Sequence, residues 1–338
     1  MIRQALPAAA LLLLFTAHVA RADPVEDFYR GRQVSLVIST DVGGGYDAVG
    51  RMFARHFAEH VPGKPTIVPQ NMPGAGGLRA TNYLFNNAPR DGSTIGLVHG
   101  SMTTADLLSP QGAKFDGDRI SWIGNISGEP GFCVSWFTSP VKSFADIKDH
   151  DFTVGSSGAG AGLDFFPKVI NHLFGTNIRV VSGYTGGTAV LLAMERGEVD
   201  GICSWPYSGM EKTRPAWLPE HKINLLVQFG LAKNPKAPDV PLILDLVSDQ
   251  ATRAALELML TERQLLRPIL APPEIPADRL AALRRAFVAT MQDPAFLADA
   301  KKLCEEVTAM SGEEVESLIR RLHHAPPEVL QRAIALKS

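Results

Sequence analysis

The chain has 338 residues, 45% of them hydrophobic, with 30 glycines and 24 prolines. That length exceeds one ordinary core and implies two domains or one large α/β unit, and the composition excludes a disordered chain. Thirty-three Lys and Arg against 35 Asp and Glu give a formal charge of −2, without a basic block, so nucleic acid is not an expected partner. Three cysteines (133, 203, 304) are too few for a disulfide scaffold and contain no CxxC pair.

Residues 1–22 read as an export signal. Arg3 supplies the positive end, an apolar stretch around Leu11–Phe15 follows, and Ala20-Arg21-Ala22 is an A-x-A cleavage site that places the mature start at Asp23. The apolar run is shorter than the roughly 20 residues that span a bilayer. Export from the cytoplasm follows. In an oxidising space Cys133 and Cys203 could pair, since both sit in strand-like runs (Phe132–Trp136 and Gly201–Trp205). Three buried free thiols are the simpler expectation.

Beyond the signal, strands and helices alternate. Val34–Ser39 is an apolar β-branched run of the kind that forms a buried strand. Thr40–Gly45 breaks it, and Val49, Met52, Phe53 and Phe57 then recur at helical spacing. Thr66–Pro69 reads as a strand, Asn71–Gly77 as a glycine-rich turn, Leu78–Asn86 as a helix and Thr94–His99 as a strand. The rhythm repeats with strand Phe152–Gly155, loop Ser156–Gly162, helix Leu163–Phe174, strand Val180-Val181, loop Tyr184–Thr188, helix Ala189–Arg196 and strand Asp200–Ser204. Helices near Asp249–Glu262 and over Arg279–Met291 follow. This order predicts two α/β lobes with mostly parallel sheets, the chain crossing near Ser127–Gly131 and Val227–Lys233. One lobe would hold residues 23–129 plus 231–338, the other 130–230.

Four strand–glycine-loop–helix units carry the chemistry: Thr40–Asp47, Asn71–Leu78, Ser156–Leu163 and Tyr184–Ala189. A helix N-terminus leaves N–H groups unpaired with the positive end of the dipole behind them. Glycine lets a ligand approach that backbone closely, so such a turn holds an anion without a lysine or arginine. Any one loop could be an ordinary tight turn. Four loops, paired between two lobes, point to an anionic ligand.

Two enzyme-like signals compete. Gly43-x-Gly45-x-x-Ala48 matches a loose dinucleotide fingerprint, but the second strand ends at Gln70-Asn71 rather than in the acidic residue that would hold a ribose. No cofactor is expected. His56-Phe57-Ala58-Glu59-His60 matches H-x-x-E-H, whose two histidines share a helix face and could hold zinc in an exported hydrolase. Two partly exposed histidines ending an amphipathic helix are the plainer reading.

The pieces also stand in a recognisable order: Phe28–Arg32 (FYRGR), Gly43–Asp47 (GGGYD), Val68–Gly77 (VPQNMPGAGG), Ala88–Gly92 (APRDG), Gly155–Gly162, Tyr184–Thr188 (YTGGT), Gly197–Asp200 (GEVD) and Asp293-Pro294. Together they resemble the Bug family, the periplasmic receptors of tripartite tricarboxylate transporters, over nearly the whole mature chain. The resemblance implies a type II periplasmic-binding-protein fold, two α/β lobes closing on a small carboxylate in an interlobe cleft. It also implies a monomer that delivers its ligand to a membrane permease with one large and one small subunit. Carried over residue by residue, Gly43, Gly44, Gly45, Tyr46, Asp47, Ala75 and Gly76 would form one wall. Ser156, Ser157, Gly158, Ala159, Gly160, Tyr184, Thr185, Gly186, Gly187 and Thr188 would form the other, with Ser101 and Trp205 as extra contacts. Tyr46, Tyr184 and Trp205 would make the pocket more aromatic than a citrate site, so the ligand is a di- or tricarboxylate or an aromatic acid. Asp200 is a weaker candidate contact, with orienting a loop as its alternative role, and Ser208–Lys222 is expected to form a flap or rim.

Overall fold

The computed structural model describes residues 23–158 and 161–337. The expected export signal and two of the expected contacts, Ala159 and Gly160, lie outside them.

Eleven strands form two sheets among the described residues. They are β1 (Gln33–Ile38), β2 (Thr66–Asn71), β3 (Thr94–Leu97), β4 (Ser121–Asn125), β5 (Gly131–Trp136), β6 (Phe152–Ser156), β7 (Ile178–Ser182), β8 (Gly201–Pro206), β9 (Ile223–Phe229), β10 (Pro268–Ala271) and β11 (Met310–Ser311). The first sheet runs β11-β4-β10-β3-β1-β2 and the second β7-β6-β8-β5-β9. Both are mixed, which corrects the mostly parallel expectation. β1 pairs in parallel with β2 and β3, and β6 with β7 and β8. The pairings of β10, β4, β11, β5 and β9 are antiparallel. A strand returning from the other half of the chain has no crossover helix to set its direction.

The parallel strands carry the helices their sequence implies. Leu36 and Ile38 of β1 bury against Val49, Met52, Phe53 and Phe57 of helix Gly45–His60. Phe53 and Phe57 stack with centroids 4.6 Å apart, and burying each such ring contributes about 1.5–3 kcal/mol. Four helices complete the C-terminal part: Ala277–Gln292, Pro294–Lys302, Gly312–His323 and Pro327–Lys337. Ser311 and Glu314 form a reciprocal capping box on the third. The last packs against helices Gln250–Leu260 and Gly162–Phe174 and the short helix Ala105–Leu108. Its Ala333 and Leu336 are buried, and Arg332 pairs with Asp249 at 2.8 Å.

Two connections join the sheets side by side. The first is the passage from β4 to β5. The second is the turn 261–267, which enters β10. Leu266 N–H donates to the Ser127 carbonyl at 3.0 Å, and the Asn125 side chain takes the Arg267 N–H at 3.0 Å and reaches the Gln264 carbonyl at 2.9 Å. A Cβ at Gly128 would stand 2.3 Å from the Gln264 carbonyl oxygen, so this close approach requires glycine. The chain does not leave the second sheet directly after β9. The Gln228 side chain holds the carbonyls of Ala237 and Val240 and the N–H of Asn234.

Cys133 of β5 and Cys203 of β8 form a disulfide between neighbouring strands. This corrects the expectation of three buried free thiols. Antiparallel pairing sets the two positions side by side, and only Cys304 is free, half-buried rather than enclosed.

Candidate ligand-binding cleft

The glycine-rich turns follow the C-terminal ends of parallel strands: β1 and β2 in the first sheet, β6 and β7 in the second. That is the crevice end of an α/β sheet. The connections between the sheets lie at this same end, since Arg267 immediately precedes β10, whose Ile269 is paired with Leu97 at the end of β3.

In the first turn Asp41 through Gly45 are exposed. Helix Gly45–His60 begins without a side-chain cap, so its leading N–H groups face outward. Asp47 is not an open contact. Its carboxylate accepts from the Gly43 N–H at 2.9 Å, from Arg51 Nε at 2.9 Å and from Asn71 Nδ2 at 3.0 Å. Burial works against its charge, but these donors prevail and its pKa is lowered. Asp47 therefore shapes the loop. Tyr46 is likewise committed: its hydroxyl donates to the Leu266 carbonyl at 2.6 Å and accepts from the Gly100 N–H at 3.1 Å. Its ring stacks on His99 with centroids 5.1 Å apart. The second turn exposes Ala75 and Gly76, and backbone φ is positive at every residue from Gly74 to Gly77. Ser101 is buried, its hydroxyl 3.0 Å from His99 Nδ1. Burial, with Arg267 and Arg263 nearby, brings the His99 pKa down to about 4.

On the second sheet, Ser156 is buried and its hydroxyl accepts from the Gly158 N–H at 3.0 Å. Ser157 is exposed beside it. Helix Gly162–Phe174 starts without a side-chain cap, as does helix Gly187–Glu195 after Gly186. Thr185 and Thr188 are exposed, and a side chain added at Gly186 or Gly187 would meet nothing within 4 Å. Tyr184 is half-buried, its N–H on the Ser156 carbonyl at 3.2 Å. Trp205 is 7% exposed and packs edge-on against Trp217, with centroids 5.9 Å apart. Tyr46 and Trp205 are thus packed rings rather than an aromatic lining. Asp200 accepts from the Thr153 N–H at 2.9 Å, a loop-orienting role. Ser208–Lys222 opens with a short helix, Tyr207–Thr213, anchored through the Ser208 hydroxyl on Glu129.

The zinc reading meets different geometry. His56 and His60 share their helix face, but each already faces its own carboxylate, Asp299 at 3.0 Å and Asp293 at 3.0 Å. Glu59 pairs with Lys64. These contacts bind helix Gly45–His60 to helix Pro294–Lys302. Among the described residues, a trio with ligand atoms close enough for a cation is Asp106, Asp116 and His323; there Asp106 already takes the Gly117 N–H at 2.6 Å and pairs with His323 at 3.3 Å.

Sequence reasoning missed Arg263, Arg267, His99 and Ser204. They come together where the two connections meet, and the one available signal was the pair of arginines flanking Gln264–Leu266 just before an apolar strand.

Comparison with known proteins agrees with this architecture. A solved structure of the periplasmic binding protein BugD superposes with a TM-score of 0.70 at 22% identity, over 91% of this chain and 98% of that one. MatC of Rhodopseudomonas palustris with bound malate gives 0.67 at 20% identity, over 91% and 99%. A second R. palustris protein, with adipate, gives 0.68 at 18% identity, over 89% and 97%. These likenesses establish the two-lobed periplasmic-binding-protein fold. No match is found among curated proteins. Residues 49–325 match the family of tripartite tricarboxylate transporter receptors, and the chain belongs to that family of solute-binding receptors, not enzymes.

Proposed function

We propose that the protein captures a small carboxylate between its two lobes outside the cytoplasm and presents it to a membrane permease built from a large and a small subunit. The observation that carries this reading is the placement of the uncapped helix N-termini at Gly45, Gly162 and Gly187. They come from both sheets, at the crevice ends of their parallel strands. Such ends attract anions through the helix dipole and unpaired N–H groups. The bound malate and adipate of two structural neighbours support an aliphatic di-acid over an aromatic one, as do the packed positions of Tyr46 and Trp205.

We place Ser157, Gly158, Thr185, Gly186, Gly187 and Thr188 on one wall and Gly43, Gly44, Gly45, Ala75 and Gly76 on the other. Closure of the lobes follows from differential affinity: the ligand bridges both walls in the closed form alone. The lobes divide at the connections around Gly128 and at 261–267, with residues 234–242 kept on the second sheet by Gln228. Among the described residues no helix is long and apolar enough to cross a membrane.

The test is a thermal-shift screen of residues 23–338 with aliphatic di- and tricarboxylates, aromatic acids and neutral analogues. A ligand at a hundred times its Kd adds about 2.7 kcal/mol to stability. Gly186→Trp should fold, since it enters open space, and should lose that shift. A Gly186→Trp variant that binds as wild type would remove this loop from the site.

A further inference from the structure

The turn 261–267 sends two arginines into the space between the sheets, and both are 6% exposed. Arg267 is held by several neighbours, although its Nε, like that of Arg263, makes no hydrogen bond among the described residues. Its guanidinium carbon lies 4.1 Å from the Tyr46 ring centroid, Nη1 donates to the Leu266 carbonyl at 3.3 Å, and Nε stands 3.5 Å from Glu305 Oε1. Burial works against its charge, but Glu305, Tyr46 and Glu129 together outweigh burial, and its pKa rises. Arg263 differs. Nη1 donates to Ser204 Oγ at 3.2 Å, but Nε and Nη2 are buried without a hydrogen-bond acceptor among the described residues. Burial pushes its pKa down, despite the fields of Glu262 and Glu129.

The two unpaired groups are not an arbitrary pair. Nε–H and Nη2–H lie on one edge of the guanidinium and point in parallel, the edge that grips a carboxylate with two hydrogen bonds. Glycine at 131 keeps that edge clear: a Cβ there would stand 3.0 Å from Nη2. Glu262 and Glu129 act on Arg263 through space, but its Nε and Nη2 have no hydrogen-bond acceptor among the described residues. Ser204 Oγ would lie 2.5 Å from a Cβ at Gly162, the first residue of one uncapped helix. Arg267 Nη2 would lie 3.6 Å from a Cβ at Gly45, the first residue of the other. Two cationic side chains thus stand beside the positive ends of two helices, one from each sheet. Like charges thus face one another beside two buried Arg263 donors that have no partner among the described residues. An anion cancels both costs at once.

We propose that Arg263 is the charge anchor of the cleft, its Nε–H and Nη2–H donating to the two oxygens of one ligand carboxylate while the glycine loops hold a second anionic group. The ligand class is then a dicarboxylate. This rests on the carboxylate-receptor reading above. Arg267 serves as scaffold, since Tyr46 and Glu305 already occupy it.

The experiment titrates wild type calorimetrically with malate, adipate, citrate and benzoate, then carries the tightest binder into Arg263→Met and Arg263→Lys. Melting temperatures without ligand are recorded for all three. Losing even one of two charged hydrogen bonds weakens binding about 10–150-fold. The expected result is a loss in that range or greater for Arg263→Met and a smaller loss for Arg263→Lys, which keeps the charge but not the fork. The ligand-free Arg263→Met protein should melt at or above wild type, because a buried unmatched cation is gone. A loss below tenfold overturns the anchor, and so does a loss that comes with a lower ligand-free melting temperature, the mark of a merely structural tether to Ser204. If wild type binds none of the four acids, the carboxylate reading itself falls and the anchor with it.

Discussion

Tyr46 and Arg267 meet face to face across the junction of the sheets, guanidinium carbon over ring at 4.1 Å, and the same tyrosine's hydroxyl joins Leu266 to Gly100. One side chain of the first glycine turn thereby fixes the last residues of the returning connection. Tyr46→Phe keeps the ring and removes the bridge, leaving the Gly100 N–H and the Leu266 carbonyl without that partner. Stability should fall by about 1–3 kcal/mol, read from the urea midpoint at unchanged m-value. An unaltered midpoint would mean that water replaces the hydroxyl at no cost.

The Cys133–Cys203 bridge closes a loop of 70 residues. Loop-closure entropy assigns such a cross-link roughly 4 kcal/mol. The double variant Cys133→Ala/Cys203→Ala should melt well below wild type, and reductant should lower the wild-type melting temperature without affecting the variant. Cys304 lies outside the bridge, so Cys304→Ser should respond to reductant as wild type does.

Two histidines impose opposite pH dependences. His99 has its folded pKa depressed from 6.5 to about 4 by burial and by the neighbouring arginines. Between those values the unfolded chain binds more protons, so stability falls as pH drops from 6.5 towards 4, by at most about 3 kcal/mol. His323 is raised by the Asp106 carboxylate 3.3 Å away. Its contribution is complete below pH 6.5 and disappears as pH rises through the elevated value. Denaturant midpoints across pH 4–9 should lose the acid slope in His99→Gln and the alkaline slope in His323→Gln. Slopes that persist in both variants would assign them to other groups.

Gly128→Ala should destabilise strongly, by about 2 kcal/mol or more, because its Cβ would stand 2.3 Å from the Gln264 carbonyl oxygen and that backbone cannot yield without moving Arg263 and Arg267. Gly187→Ala, with open space around it, should leave stability within about 0.5 kcal/mol of wild type. Equal midpoints for the two variants would contradict the close contact between the connections.

The strand–turn–helix units were legible because local physics writes them twice, as a buried apolar run and as helical spacing after a glycine break. Leu78–Asn86 falls on its expected limits, and Gly162–Phe174 starts one residue early. β4, β9 and β10 were not legible as members of their sheets. β10 has only four residues, and its partners β3 and β4 lie far upstream in the chain, so nothing local announces its direction. The cleft was legible as glycine turns and illegible as charge. Arg263 and Arg267 look like surface residues in the sequence, because long-range packing alone removes them from water. His56 and His60 were placed correctly on one face, but their aspartates are more than 230 residues away. Cysteine spacing says nothing about which strands become neighbours, so the sequence offered the Cys133–Cys203 pair without favouring it over free thiols.

The terminal helix Pro327–Lys337 touches Ala105–Leu108 on the first-sheet side and Gly162–Phe174 on the second-sheet side. It ties the two sides together like a strap. A change in the angle between the two sides would have to flex or slide this helix. A tag placed after this helix would pull directly on that strap, whereas helix Pro24–Tyr29 packs on helix Ala277–Gln292 and, among the described residues, makes no bridge between the two sides.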